Sequence, residues 1–324
     1  MQKQGVCKAA RAVPSLPPSP PAPARPPTVD LVLLGVAVVA VSTSAPLIRA
    51  ADAPSLAIAF WRNALALPIL GAVVLASRDR RHEAATLDRR EQRLAFVAGL
   101  FLAAHFAAWV PSLSFTSVAS SVALVATQPV WAALIARWRG DDVPRLAWWG
   151  IASAMAGTVV LTGVDLSISP RALFGDLLAL LGGALAAAYV TVGAEARRTI
   201  STTVYATACY GVAAIVLLAV CGVGRQPLAG YDGRTWLLLV ATVLGPQLLG
   251  HTLVNRVLAT ISPVIVSVAI LFEIVGAALL AWLAFDEVPP ASAIPAGVLI
   301  AAGVVLVVRA NPAEPAVAGS PPIE

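Results

Sequence analysis

Long apolar runs recur along this 324-residue chain and constrain its fold more than any other feature. Each has roughly 18–23 residues, enough for an α-helix rising 1.5 Å per residue to cross a hydrocarbon core of about 30 Å. The sequence therefore predicts an all-α, polytopic membrane protein with ten transmembrane helices. The predicted spans are residues 30–48, 54–76, 94–112, 117–137, 146–164, 173–193, 202–223, 235–255, 261–283 and 291–308.

The overall composition excludes a soluble globular protein. Hydrophobic residues make up 59% of the chain and charged residues 12%, with a mean hydropathy of +0.84. Soluble domains are about 45–50% apolar and about 25% charged. The three cysteines, Cys7, Cys209 and Cys221, have neither zinc-finger nor disulfide-scaffold spacing. No cofactor or metal is predicted.

Both chain ends differ from the apolar region. Residues 1–29 are rich in proline, and residues 1–28 hold four positive charges and no acid, so we expect a disordered tail. Residues 309–324 are predicted to form a second tail. The first tail contains no apolar run that could act as a signal peptide, so the first span should remain a transmembrane helix.

The positive charges fall mainly on one side of the predicted membrane. With ten spans, 17 lysines and arginines lie on the side of both termini and 4 on the other, while Arg62 lies within span 2. Cytoplasmic loops carry the excess of positive charge, so both termini are predicted to be cytoplasmic in a multi-pass protein of the cytoplasmic membrane. The net charge of +5 is thereby explained without nucleic-acid binding.

The two halves of the chain resemble each other at an offset near 146 residues. Asp30 then aligns with Asp176, and His105 aligns with His251. Each half, 30–164 and 173–308, would hold five spans, and an odd number inserts the second copy with the opposite orientation. Inverted repeats of this kind are typical of secondary transporters, whose central site lies between the repeats.

Four motifs occur in a fixed order along these spans. They are Phe60-Trp61-Arg62 in span 2, Gln128-Pro129 followed by Trp131-Ala132-Ala133-Leu134 in span 4, Gly175-Asp176-Leu177-Leu178-Ala179-Leu180 in span 6, and Glu273 followed by Gly276-Ala277-Ala278-Leu279-Leu280-Ala281-Trp282 in span 9. Over about residues 30–310 the chain resembles the EamA-type branch of the drug/metabolite transporter superfamily. The resemblance implies a carrier of amino acids, related metabolites or toxic compounds, more often exported.

Ionisable residues within the spans are candidate functional residues, because a charge at membrane depth is costly without a partner or a cavity. Glu273 is a candidate proton carrier; the alternative is a structural role in a permanent salt bridge with Arg62 or in hydrogen bonds to span 4. Arg62 itself is either a structural residue or a substrate contact. His105 and His251 are repeat-related and should lie at opposite depths.

Two polar stripes point to a central site. Span 8 carries Gln247, His251 and Asn255 at i, i+4 and i+8, and span 3 carries His105 and Trp109 at i and i+4. A cavity lined by both stripes is the leading candidate for substrate binding. The alternative is that these side chains only hydrogen-bond neighbouring helices.

Spans 4 and 6 add two further candidates for the pathway, Gln128 and Tyr189. Tyr189 lies among small residues that are typical of close helix packing, so it either lines the pathway or belongs to a packing seam. Asp30 and Asp176 lie at predicted helix starts, where we expect a structural role: their carboxylates would cap free amide groups and complement the helix dipole.

Among functions, a secondary carrier of a small molecule is predicted over an intramembrane enzyme or a channel. The chain has no HExxH, GxSxG or P-loop motif, and its few ionisable membrane residues do not form a filter. The lipid bilayer and a small-molecule substrate are the predicted partners. The sequence leaves open whether protons are coupled to transport and whether two copies form a homodimer.

Overall fold

The computed structural model describes residues 27–116, 118–162, 169–285 and 291–310, and within these ranges it is helical and contains no strand. The helices are α1 (Thr28–Ser42), α2 (Ser44–Ala50), α3 (Ser55–Ala64), α4 (Ala66–Ala76), α5 (Arg78–Thr86), α6 (Arg89–Ser112), α7 (Val118–Val125), α8 (Gln128–Trp138), α9 (Arg145–Thr162), α10 (Pro170–Ala196), α11 (Thr202–Val223), α12 (Gly233–Thr242), a π-helical segment (Val243–His251), α13 (Thr252–Val257), α14 (Pro263–Ile270), α15 (Phe272–Phe285) and α16 (Ala293–Ala310).

Six helical stretches are long and apolar enough to cross a membrane. They are Thr28–Ala50, Ser55–Ala76, Arg89–Ser112, Pro170–Ala196, Thr202–Val223 and Gly233–Val257. Shorter apolar helices follow at Pro263–Gly276 and Ile294–Ala310. The predicted all-α membrane class is therefore confirmed, whereas the count of ten spans and the inverted repeat remain predictions. Most residues of the two predicted tails lie outside the described ranges.

Several predicted spans are interrupted helices instead of straight ones. One helix ends and the next begins at Thr43, Leu65, residues 126–127 and Leu271. At residues 126–127 the cause is local: Pro129, in the first turn of α8, has no amide hydrogen and cannot continue the ladder of α7. The π-helical segment contains Pro246, which likewise removes a backbone donor within span 8.

Glycines allow the helices to approach closely. A Cβ built on Gly303 of α16 would lie 2.5 Å from the carbonyl oxygen of Gly150 on α9. A Cβ built on Gly182 of α10 would lie 3.0 Å from the Cβ of Trp109 on α6. Small residues at such contacts are typical of helix packing in membranes. The contact at Gly182 fixes the face of α6 that carries His105 and Trp109.

The distribution of polarity is that of a membrane protein. Large apolar side chains such as Val39, Ile215 and Val298 are 64–71% exposed on the outer surface of the helices. Polar side chains such as Arg62 and Gln247 are fully buried between them. Lipid tails can cover the exposed apolar surface, while buried polar groups need partners inside the bundle.

Asp30 lies in the first turn of α1, where its charge complements the helix dipole as predicted, but the predicted capping role of Asp30 and Asp176 is wrong. Pro27 precedes α1 and Ser169 caps α10, so neither aspartate occupies a cap position. Each carboxylate instead accepts a hydrogen bond from a distant threonine hydroxyl. Thr260 Oγ1 donates to Asp30 over 2.6 Å, and Thr116 Oγ1 donates to Asp176 over 2.7 Å.

Candidate functional site

A cavity of about 80 Å³ lies at the centre of the helical bundle, between α1, α2, α6, α7, α8, α10, the π-helical segment and α13 to α15. Its wall is mostly apolar with a few polar groups, as in small-molecule sites, and it has room for several water molecules. Six of the nine residues predicted as candidates line it: His105, Trp109, Gln128, Tyr189, His251 and Glu273.

The other three candidates lie behind the wall of the cavity, and Arg62 is the first of them. Its Nε donates a 2.9 Å hydrogen bond to Gln247 Oε1, and its guanidinium carbon lies 4.2 Å from the centroid of the Phe106 ring. Gln247 Nε2 in turn donates to Asn63 Oδ1 over 3.1 Å. Arg62 Nη1 lies 3.4 Å from Ser44 Oγ, a residue of the cavity wall. This network joins α2, α3 and α6 to the π-helical segment.

The network leaves Arg62 incompletely satisfied. Its Nη2 is buried and has no hydrogen-bond partner among the described residues. A buried donor without an acceptor costs free energy, about 1–3 kcal/mol for a neutral group and more for a charged one. The attraction of the cation to the electron-rich face of Phe106 offsets part of that cost.

Glu273 belongs to the cavity wall, on the first turn of α15. Within the described part of the chain, its carboxylate forms no ion pair with Arg62 at 4.0 Å or less. The permanent salt bridge weighed as an alternative is therefore absent from this conformation.

The two histidines are held differently. His105 Nδ1 lies 2.9 Å from the carbonyl oxygen of Gly182, which can only accept a hydrogen bond. We infer that Nδ1 carries the proton in the neutral ring, which leaves Nε2 as an acceptor. The ring of His105 stacks on Trp109 at a centroid distance of 5.8 Å, whereas His251 contacts the Phe106 ring edge-on at 5.6 Å.

Asn255 connects the cavity to one end of the bundle. Tyr189 lines the cavity and donates a 2.6 Å hydrogen bond to Asn255 Oδ1. The backbone carbonyl of Asn255 accepts a 2.9 Å hydrogen bond from Arg197 Nε, at the end of α10. Gln128 Nε2 similarly donates to Ser267 Oγ over 3.0 Å. Tyr189 and Gln128 therefore line the cavity and also hydrogen-bond to neighbouring helices.

Three polar residues of the site were not singled out from the sequence. Ser44 and Ser267 line the cavity, and Asn63 completes the buried network around Gln247. Ser267 had a signal, because it aligns with Ser121 at the repeat offset. Asn63 and Ser44 carried none beyond their polarity. Within the described ranges, no cluster of three or more His, Cys, Asp or Glu side chains is suited to a metal ion.

Comparison with known proteins adds a relative and a fold. The pseudopaline exporter CntI of Pseudomonas aeruginosa is 25% identical over 253 residues, which is 77% of this chain and 84% of the exporter. A crystal structure described only as that of a protein superposes with a TM-score of 0.69 at 22% sequence identity, covering 86% of this chain and 96% of the other. At that identity the second likeness shows the fold alone.

A family model matches the chain twice. The model of the EamA-like transporter family matches residues 28–163 and again residues 173–309, which together make up most of the chain. We refer to them as the first and second matched segments. These two matches and the helices capable of crossing a membrane show that the protein is a multi-pass membrane transporter. The chain belongs to the EamA-like transporter family.

Proposed function

We propose that this protein is a secondary carrier that exports a small polar metabolite across the cytoplasmic membrane by alternating access. The metabolite belongs to the amino acids, related metabolites or toxic compounds. The proposal uses ten spans arranged as two inverted five-helix repeats, with both termini in the cytoplasm. Export is supported by the relative, which is an exporter.

The observation that carries the proposal is the composition of the cavity wall. The first matched segment contributes His105, Trp109 and Gln128, and the second contributes Tyr189, His251 and Glu273. A site built from both halves changes its exposure when one half tilts against the other, because neither half holds the whole site. The cavity is small, so a metabolite larger than a few water molecules would enter only after such a movement.

Protons are the coupling ion in this proposal, and Glu273 is their carrier. A carboxylate without a cation or hydrogen-bond donor is costly at membrane depth, which favours its protonated form. When the cavity opens to water, the carboxylate is solvated and can release the proton. Glu273 lies on the cavity wall, and among the described residues no ion pair within 4.0 Å holds its carboxylate, so it suits both steps.

The test is metabolite profiling followed by counterflow. Cells overexpressing the wild-type chain should accumulate a substrate in the medium, compared with cells lacking it. Ala186→Phe fills the cavity and should abolish the accumulation. The matched control is Leu181→Phe, on the same helix but at a side chain that is 51% exposed on the outer surface. This variant should export normally.

Two results would overturn the proposal. A compound exported through the cavity should be enriched in the medium of cells with the wild-type chain or Leu181→Phe, but not with Ala186→Phe. If no compound shows this pattern, the cavity is not a transport site. If an enriched compound crosses proteoliposomes without saturation or counterflow, the protein conducts as a channel. Size-exclusion profiles of both variants show whether either failed to fold.

A further inference from the structure

Two threonine–aspartate hydrogen bonds join the matched segments to each other. Thr260 of the second segment donates to Asp30 of the first over 2.6 Å, and Thr116 of the first donates to Asp176 of the second over 2.7 Å. Asp30 is 8% exposed, and hydrogen bonds to carboxylates are stronger than those between neutral groups. Each bond therefore holds the two segments together at one point.

The two bonds are equivalent in the chain. The aspartates are 146 residues apart, and the threonines are 144 residues apart. Both aspartates lie near the start of a helix, α1 or α10. Both threonines lie between two helices, Thr116 between α6 and α7 and Thr260 between α13 and α14. The repeat thus produces the same contact twice, with donor and acceptor exchanged between the segments.

Their positions along the spans put them at opposite faces of the membrane. In the proposed topology α1 starts at the cytoplasmic face, and span 8 ends there shortly before Thr260. Span 3 ends at the periplasmic face shortly before Thr116, and α10 starts there. In that topology one bond consequently lies at each end of the bundle, and both are formed in this conformation.

We propose that these bonds are two latches of the transport cycle: Asp30–Thr260 opens for access from the cytoplasm, and Asp176–Thr116 opens for access from the periplasm. The inference rests on the proposed alternating access. It adds four residues outside the cavity that set which face is open.

The hydroxyl of the cytoplasmic latch has a second acceptor within reach. The Thr260 hydroxyl also lies 3.3 Å from the carbonyl oxygen of Val257, one turn earlier. When the bond to Asp30 breaks, the Val257 carbonyl oxygen can accept the hydrogen bond from the Thr260 hydroxyl in its place. The hydroxyl of Thr260 is then satisfied in both states, and the carboxylate of Asp30 meets water at the membrane surface.

The periplasmic latch is reinforced by its neighbours. The Phe115 and Phe174 rings pack edge-on with centroids 5.1 Å apart, and Arg171 Nη2 donates to the carbonyl oxygen of Ser114 over 3.0 Å. A Cβ on Gly175 would lie 2.8 Å from the backbone nitrogen of Thr116. Loss of the single hydroxyl should therefore loosen this end less than the cytoplasmic end.

The test is side-specific labelling of one cysteine in the cavity. In a variant with Cys7, Cys209 and Cys221 replaced, Ala186→Cys provides the reporter, because Ala186 lines the cavity. A membrane-impermeant methanethiosulfonate is added to right-side-out or inside-out vesicles. Thr260→Val should raise the rate of labelling from the cytoplasmic side about tenfold, since a hydrogen bond to a charged group shifts an equilibrium at least that much.

Thr116→Val should raise labelling from the periplasmic side by a smaller factor. The matched controls are Thr260→Ser and Thr116→Ser, which keep the hydroxyl and should label at wild-type rates. Asp30→Asn is the second variant for the cytoplasmic latch. It keeps the volume of the side chain but weakens the hydrogen-bond acceptor, so it should shift labelling in the same direction as Thr260→Val. If one of these two variants does not fold, the other still tests the cytoplasmic latch.

The outcomes separate the latches from the carrier. If the wild-type reporter labels from both sides and neither valine variant changes either rate, the latches are refuted while alternating access stands. Equal increases from both sides in one variant would likewise refute a latch, because they indicate general loosening. A wild-type reporter that labels from one side only contradicts alternating access, and the latches with it.

Discussion

The close contact between α9 and α16 permits a quantitative prediction, with Gly303→Ala as the perturbation. The new Cβ would lie 2.5 Å from the carbonyl oxygen of Gly150 and 2.7 Å from the Cβ of Ala154, whereas ordinary contacts begin at 3.4 Å. The two helices must then move apart locally by about 1 Å, and overpacking of this kind costs about 1–3 kcal/mol because packed interiors yield little.

The matched control lies on the same helix. A Cβ added to Gly297 would have no atom within 4 Å, so Gly297→Ala introduces the same methyl group without a clash. Both substitutions raise helix propensity equally, and the difference between them isolates the clash.

The assay is the thermal midpoint of the detergent-solubilised protein, followed by fluorescence-detected size-exclusion chromatography. One kcal/mol shifts the midpoint of a chain of this size by about 2 °C, so Gly303→Ala should melt about 2–6 °C below Gly297→Ala. Gly150→Ala should behave like Gly303→Ala, since its Cβ would lie 2.7 Å from the Gly303 carbonyl oxygen. Equal midpoints for Gly303→Ala and Gly297→Ala would refute the close packing of α9 on α16.

Three other predictions test coupling, topology and a helix cap. Glu273→Gln should abolish pH-driven accumulation in proteoliposomes while substrate exchange at equal pH continues; full pH-driven uptake would exclude the proton role. In a chain without native cysteines, Tyr231→Cys should react with an impermeant thiol reagent in intact cells and Arg139→Cys should not, and the reverse pattern would contradict the topology. Asp232 caps α12, and hydrogen bonds from the side chain and the amide of Thr235 hold the pKa of the Asp232 carboxyl below its usual range. The cap should therefore stabilise the fold at neutral pH and weaken as pH falls through that lowered pKa, so the melting difference between Asp232→Ala and wild type should shrink at acidic pH.

Helix positions could be predicted from the sequence because hydrophobicity reports depth in a membrane. The run at residues 94–112 became the C-terminal part of α6, and the run at 202–223 coincides with α11. Residue polarity also identified side chains that line the cavity, such as His105 and Glu273. A polar residue within an apolar span faces the interior of the bundle, because exposure of its polar group to lipid is costly.

The rotation and the partners of these helices could not be predicted in the same way. Apolar spans contact both lipid and protein, so their pattern does not distinguish the two faces. The sequence suggested Glu273 as a partner for Arg62, yet the guanidinium donates to Gln247, far along the chain. Asp30 was expected to be a cap because it lies at a helix start, and nothing in the sequence linked it to Thr260, which lies 230 residues away. Such pairings depend on which helices meet.

The interruptions in the helices have a mechanical consequence. Three of the breaks, at Thr43, residues 126–127 and Leu271, border the cavity, whose wall includes Ser44, Ala126 and Leu271. An unbroken helix is a stiff rod, so widening the bundle at one end would swing its far end as well. For the proposed alternating access, we expect a helix interrupted beside the cavity to bend at the interruption, so that each half can tilt alone. In the proposed cycle, the free-energy cost of widening one end of the bundle would then be confined to half of the membrane's thickness, and the opposite end would stay closed.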